Sequence, residues 1–220
     1  MYQWDFGILW GYRWLLLNGL WVTVAFTAAI VVFGLAAGLA AALGALSRFA
    51  PLRIASLGFV EVFRCTPLLV QLIWCYYALP VLAGIEMSAV TAALLALSLY
   101  GGSFYAEIIR GGIVSIDPGQ GEAGAALGMT PGQTMRRIVL PQAVKRMIPA
   151  LMNQSIIQFK NTSLVSVLAV PDLVYQSQIA AHDSYRPLEI YTALAASYLV
   201  VLLPLTILVR VGERRLAAAG

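Results

Sequence analysis

Long apolar runs alternate with short polar breaks along this chain. Five runs stand out, at about 19–46, 57–83, 88–109, 147–170 and 190–211. A helix needs roughly 20 apolar residues to cross the hydrocarbon of a bilayer, so each run predicts one transmembrane helix. The expected architecture is an all-α membrane protein with about five such helices. Residues 1–220 then form a single membrane domain, because the runs leave no room for a separate soluble one. Residues 1–18 precede the first run and hold Trp4, Trp10, Tyr12 and Trp14. That aromatic content predicts an amphipathic segment in the outer membrane interface, where such rings prefer to sit. The one long polar connection, about 111–146, lies between the third and fourth runs.

Composition agrees with this reading. Of 220 residues, 60% are hydrophobic and 11% charged, and the mean hydropathy is +0.83. A soluble domain carries far more charge. The net charge of +4 does not point to nucleic acid, because the basic residues segregate by membrane side. Arg48 and Arg53 follow the first run. Arg110, Arg136, Arg137, Lys145 and Arg146 belong to the long connection, and Arg210, Arg214 and Arg215 to the C-terminus. The opposite side has Arg13 and Arg186. Basic residues collect on the cytoplasmic side, so five spans put the N-terminus outside and the C-terminus in the cytoplasm. Cys65 and Cys75 fall in the second run. On one helix they are about 15 Å apart in rise, too far to bond, and they are expected to be small buried apolar residues. Met1 to Asn18 lacks the basic start and apolar run of a cleavable leader.

The long connection has its own punctuation. Asp117 is an N-cap candidate with Pro118 at the first helical position, where a missing N–H costs nothing. Gly128 is placed to stop that helix in a left-handed conformation. Thr130-Pro131-Gly132-Gln133 predicts a capping box opening a second helix. Ala123, Ala125 and Ala126 make the first helix thin. The run Glu122-Ala123-Gly124-Ala125-Ala126-Leu127-Gly128, with Ile138-Val139-Leu140-Pro141 behind it, resembles the EAA---G---------I-LP signature of bacterial ABC-importer permeases. Gly124 stands where that signature usually has alanine. The resemblance implies a coupling loop that receives the stroke of a partner ATPase, with Glu122, Ala123, Gly124, Gly128, Leu140 and Pro141 as its residues.

Two further segments narrow the resemblance. Phe63-Arg64-Cys65-Thr66-Pro67-Leu68-Leu69-Val70-Gln71-Leu72 is similar to the F-R-x-T-P-x-L-V-Q-L segment of the polar amino-acid branch. Tyr105 to Ile113 and Lys160 to Val167 resemble that branch as well. Pro67 predicts a kink, and Glu61 and Arg64, three apart, are placed to pair on one face. The fourth run carries Gln154, Gln158 and Asn161 at i, i+4 and i+7, with Lys160 beside them. A charge at the bilayer centre costs about 2.5–3.5 kcal/mol on insertion scales, so a deep Lys160 must face protein or a water-filled cavity. Two readings stay open for this face: a polar seam joining helices, or a substrate surface in which Arg64 and Gln71 also take part. In the branch that the chain resembles, carriers of cationic amino acids tend to have acids matching Gln154 and Asn161. The amides here point to neutral or acidic cargo. Gly34-x-x-x-Gly38 in the first run is either a close helix contact or simple tolerance of glycine.

The family resemblance implies the core of a type I ABC-importer permease in the bacterial inner membrane. Its implied partners are two ABC ATPase subunits, a second permease chain, identical or paralogous, and a periplasmic or surface-tethered substrate-binding protein. ATP and magnesium belong to the ATPase, and this chain is expected to bind no cofactor of its own and to be no enzyme. The residues point the same way. Gly119-Gln120-Gly121-Glu122-Ala123-Gly124 fits G-x-G-x-x-G but follows a membrane run, not a strand. No P-loop is present. His182 is the one histidine, and with two thiols in a membrane run it makes a poor metal set. Glu107 and Glu122 have no acid–base partner in sight. The alternatives are an intramembrane enzyme, which needs a convergent nucleophile or metal set, and an ion-driven carrier or channel, which needs ionisable residues along its spans. The spans hold few beyond Glu61, Arg64 and Lys160.

Overall fold

The computed structural model describes residues 2–218, with side chains through Gly212. Among these residues every regular element is helical. They are α1 (Ile8–Ala45), α2 (Ala50–Cys65), α3 (Leu68–Ala83), α4 (Ala89–Val114), α5 (Pro118–Ala126), α6 (Pro131–Leu168), α7 (Leu173–Ser184) and α8 (Pro187–Ala218). Three helices are long and apolar enough to cross a membrane, and five if each of two bent pairs, α2 with α3 and α6 with α7, counts as one span. Two π turns, Trp74–Ala78 in α3 and Met135–Val139 in α6, each take in an extra residue. The end of α6, Thr162–Leu168, tightens into a 3-10 helix.

Three details depart from the sequence reading. The aromatic N-terminal segment is not separate from the first span: α1 starts at Ile8 and runs 38 residues without a break. Its first turns are held because Ile8, Leu9, Tyr12 and Leu15 pack on Ala180, Ala181 and Ile190. The second run bends at Pro67 as expected, but the kink is a full break at Thr66–Pro67 that divides the run into two helices, because proline lacks the N–H and pushes its predecessor out of helical angles. Pro67 is extended, at φ −60° and ψ 134°. The two cysteines of that run are therefore on different helices. Both are free, with Cys75 buried and Cys65 exposed against Glu61. The fourth run ends by turning through Ala169–Asp172 into α7.

The chain divides into two compact units. One holds the chain up to Val32, Thr66–Ser98 and Ser155–Leu208; the other holds Phe33–Cys65, Leu99–Gln154 and the chain from Val209. The second unit carries the polar connection. Its core is Ala41, Ala42, Val60, Ala106, Ile109, Ile116, Ala143 and Met147. Small residues let α1 and α4 meet backbone to backbone there. A Cβ at Gly38 would lie 2.6 Å from Tyr105 Cβ and 2.8 Å from the Gly102 carbonyl, and one at Gly102 would lie 3.2 Å from the Gly34 carbonyl. The Gly34-x-x-x-Gly38 motif is thus a helix contact.

In the first unit, Glu189 is fully buried at the start of α8. Its carboxylate accepts from the Tyr2 hydroxyl, from the Asp5 amide (3.0 Å) and from Arg186 (3.2 Å). Arg186 also donates to the Gln3 carbonyl at 2.8 Å. The bond to Glu189 raises the pKa of the Tyr2 phenol and of the Arg186 guanidinium above their ordinary values. The N-terminal segment is thereby fastened to the α7–α8 corner.

Gly38→Ala tests the close contact. Overpacking a tight site costs about 1–3 kcal/mol, so the purified variant should melt several degrees lower. Gly11→Ala, at a helical position with open space around it, should melt at or above the parent temperature. Equal melting of the two variants in a thermal-shift measurement removes the contact from the stability argument.

Candidate functional site: a capped hairpin and a polar helix face

The polar connection folds as a hairpin of α5 and the first turns of α6. Asp117 caps α5, its Oδ1 accepting from the Gly119 amide at 2.7 Å. At the other end the Gly128 amide donates to the Ala125 carbonyl (2.9 Å) and the Met129 amide to the Gly124 carbonyl (3.0 Å). This is a Schellman ending, with Gly128 at φ 73°. Thr130 follows immediately with a complete capping box. Its hydroxyl accepts from the Gln133 amide at 3.3 Å, and its own amide donates to Gln133 Oε1 at 2.9 Å. Two helix ends are satisfied back to back within four residues, so the turn is rigid.

Glu122, Ala123, Ala125, Ala126 and Leu127 are exposed, and Gly124 is the buried residue of α5. It faces Thr134, the buried residue of the first turn of α6. Leu140 and Pro141 lie on the exposed side of α6 beyond the π turn. Two side-chain ties that sequence spacing does not disclose hold the hairpin to its stem. Gln142 Nε2 donates to Gln120 Oε1 at 3.1 Å, and Arg146 donates to the Ser115 carbonyl at 2.6 Å. Beside Thr134, a shallow apolar hollow of about 340 Å³ is lined by Ala125, Met129, Pro131 and Met135 among others.

The polar face of α6 is partly as expected. Gln154 and Gln158 are buried, Asn161 is half-buried, and Asn161 Nδ2 donates to Gln158 Oε1 at 3.4 Å. Gln158 Nε2 has no partner among the described residues. Lys160 is exposed and does not join these amides. Gln71 is buried at the start of α3, where its Nε2 donates to the Thr66 carbonyl at 3.0 Å; it closes the helix break.

Arg64 does not pair with Glu61. Its guanidinium lies 3.8 Å from Glu107, which also binds Arg110, and stacks over the Phe104 ring at 5.6 Å. Glu107 is thus an ion-pair acceptor between two arginines, one three residues along its own helix and one from α2. The pairing with α2 is invisible in the sequence because the partners are remote along the chain. No group of three metal-ligating side chains occurs among the described residues.

Comparison with known proteins places this geometry. The model of the family described as binding-protein-dependent transport system inner membrane component matches residues 30–218. The glutamine transport system permease protein GlnP of Escherichia coli K12 is 38% identical over 97% of this chain and 98% of its own length. The glutamate/aspartate import permease protein GltK of Escherichia coli O157:H7 is 35% identical over 99% of this chain and 100% of its own. The arginine transport system permease protein ArtQ of Bacillus subtilis is 36% identical over 91% and 92%. Among solved structures, an amino acid ABC transporter crystallised with histidines superposes with a TM-score of 0.91. It is 38% identical and covers 97% of this chain and 100% of its own. Full-length similarity at this level, together with the helical core and the capped hairpin, shows that the chain belongs to the inner membrane components of binding-protein-dependent transport systems, as a permease subunit of an ABC importer.

Proposed function

We propose that this permease carries polar amino acids, neutral or acidic in preference to cationic, and that the 122–135 hairpin is the element an ABC ATPase grips. The observation that carries the coupling reading is the double cap at Gly128 and Thr130. A force-bearing loop must not melt, and this one satisfies its own backbone while leaving Glu122, Ala123 and Leu127 exposed. By this reading two ATPase subunits holding ATP and magnesium sit below, and a second permease chain completes the path. A binding protein delivers cargo from outside. The N-terminus lies outside and the C-terminus in the cytoplasm, as the basic residues direct.

The relatives do not set the cargo by identity alone, because permeases named for glutamine, glutamate/aspartate and arginine all fall between 35% and 38%. The argument comes from the site residues. Gln154, Gln158 and Asn161 present amides, and Gln158 Nε2 is an unpartnered donor suited to an acceptor such as a carboxylate or a side-chain amide. Lys160 adds positive charge on the same helix. Arg64 adds little, because Glu107 offsets it. Such a face accepts a zwitterion and offers an added ammonium or guanidinium no carboxylate to pair with.

Three measurements test this function. Gly128→Val forces a β-branched residue into a left-handed conformation. No atom among the described residues crowds the site, so the variant should reach the membrane yet hydrolyse ATP without transport in proteoliposomes; normal transport removes the docking assignment. Reporter fusions after Gly84 and after His182 should read as external and one after Gly132 as cytoplasmic. An external signal at Gly132 overturns the topology and the ATPase contact together. In competition assays on the intact transporter, glutamine or glutamate should outcompete arginine, and the reverse order defeats the cargo reading.

A further inference from the structure

We propose that Thr134 is a positioning residue of the coupling hairpin, seated in the notch that Gly124 leaves open on α5, and that these two residues act as one matched pair in transport. The inference rests on the reading of this hairpin as the ATPase-gripping element. It deepens that reading by naming the contact that keeps its two helices in register.

Glycine in a helix interior is disfavoured relative to alanine, so Gly124 needs a reason. Conformation is not the reason, since its φ is not in the left-handed region that Gly128 occupies. Space is. A Cβ at Gly124 would lie 2.6 Å from Thr134 Oγ1, 2.8 Å from Thr134 Cγ2 and 3.2 Å from Thr134 Cβ. The three nearest atoms all belong to this one side chain. Rotation of Thr134 does not relieve the crowding. Two of the three staggered positions on Thr134 Cβ point at Gly124, and a threonine has two heavy substituents to place. Every rotamer therefore leaves at least one of the two facing positions filled.

The backbone of Thr134 is equally fixed. Its amide donates to the Thr130 carbonyl at 2.9 Å, the first helical bond after the capping box, and the π turn starts at the next residue. An alanine at 124 must instead push α5 away from α6. That displacement opens against the rigid turn at 127–130 and strains the Gln120–Gln142 tie at the other end. It also moves a wall of the hollow that Thr134 shares with Ala125, Met129 and Pro131. The exposed face of α5 is then presented in the wrong place, although each helix is intact.

A reciprocal swap tests the pair in the complete transporter, assembled with its ATPase and binding protein in liposomes. Gly124→Ala should lower transport by about five-fold or more while ATP turnover stays within about two-fold. Thr134→Ala removes the two atoms nearer than 3.0 Å and leaves only Cβ at 3.2 Å, so Gly124→Ala with Thr134→Ala should return transport to within about two-fold of the parent. Rescue by a second truncation is not what independent damage produces. Wild-type transport by Gly124→Ala overturns the pair, and so does a double variant no better than the single one. If Gly124→Ala fails to reach the membrane, the membrane level of the double variant decides instead: recovery supports the pair and no recovery sinks it. A cross-link from Leu127→Cys, in a Cys65→Ser background, to the ATPase separates the two layers of the argument. Its formation supports the docking reading. Its absence in a complex where the swap does rescue overturns the coupling role and leaves Gly124 and Thr134 as a packing contact alone.

Discussion

Backbone amides and carbonyls inside a bilayer have no water to bond, so every break in a helix needs a partner from the protein itself. That constraint decides what this chain does at its interruptions. At Thr66–Pro67 the freed Thr66 carbonyl is taken by the Gln71 side chain. At the start of α7 the Leu173 amide donates to Thr23 Oγ1 from α1, and Asp172 caps Tyr175. Gly19 lets α1 approach, for a Cβ there would lie 2.9 Å from the Leu173 Cα. Polar residues that look functional in a membrane sequence are thus partly spent on repairing the backbone. Gln71 and Thr23 are examples, and what remains unspent, such as Gln158 Nε2, is the better candidate for work on a solute.

The hairpin meets the same demand in another way. Its stops are satisfied by local geometry rather than by distant side chains, so it holds its shape as a unit. A hairpin whose ends are satisfied within itself keeps its shape independently of the helices around it, whereas the interrupted spans depend on one another.

Local chemistry was legible in the sequence and long-range chemistry was not. Asp117, Gly128 and Thr130 announce their caps because each signal lies within four residues of what it satisfies. The amide face of α6 is legible for the same reason, since helical spacing places Gln154, Gln158 and Asn161. The Arg64–Glu107 pair and the Gln120–Gln142 tie join residues that are remote along the chain, and no periodicity encodes them. The continuity of α1 through residues 8–18 also went unread, because aromatic and polar residues hid a helix that α7 and α8 stabilise from outside. The left-handed stops at Ala169 and Tyr185 lack the glycine that normally marks such turns.

The π turn at Met135–Val139 has an evolutionary side. An α-helix advances by about 100° per residue, so an extra residue would normally turn everything after it off its face. The wider π turn takes that residue in locally, and Ala143 and Met147 still reach the core. A lineage that lost one residue from 135–139 would close the turn into a regular α-helix and keep both side chains on the core. A gap of one in an alignment across this turn is therefore a change of length rather than a change of phase, and positions 143 and 147 are expected to stay apolar on either side of it.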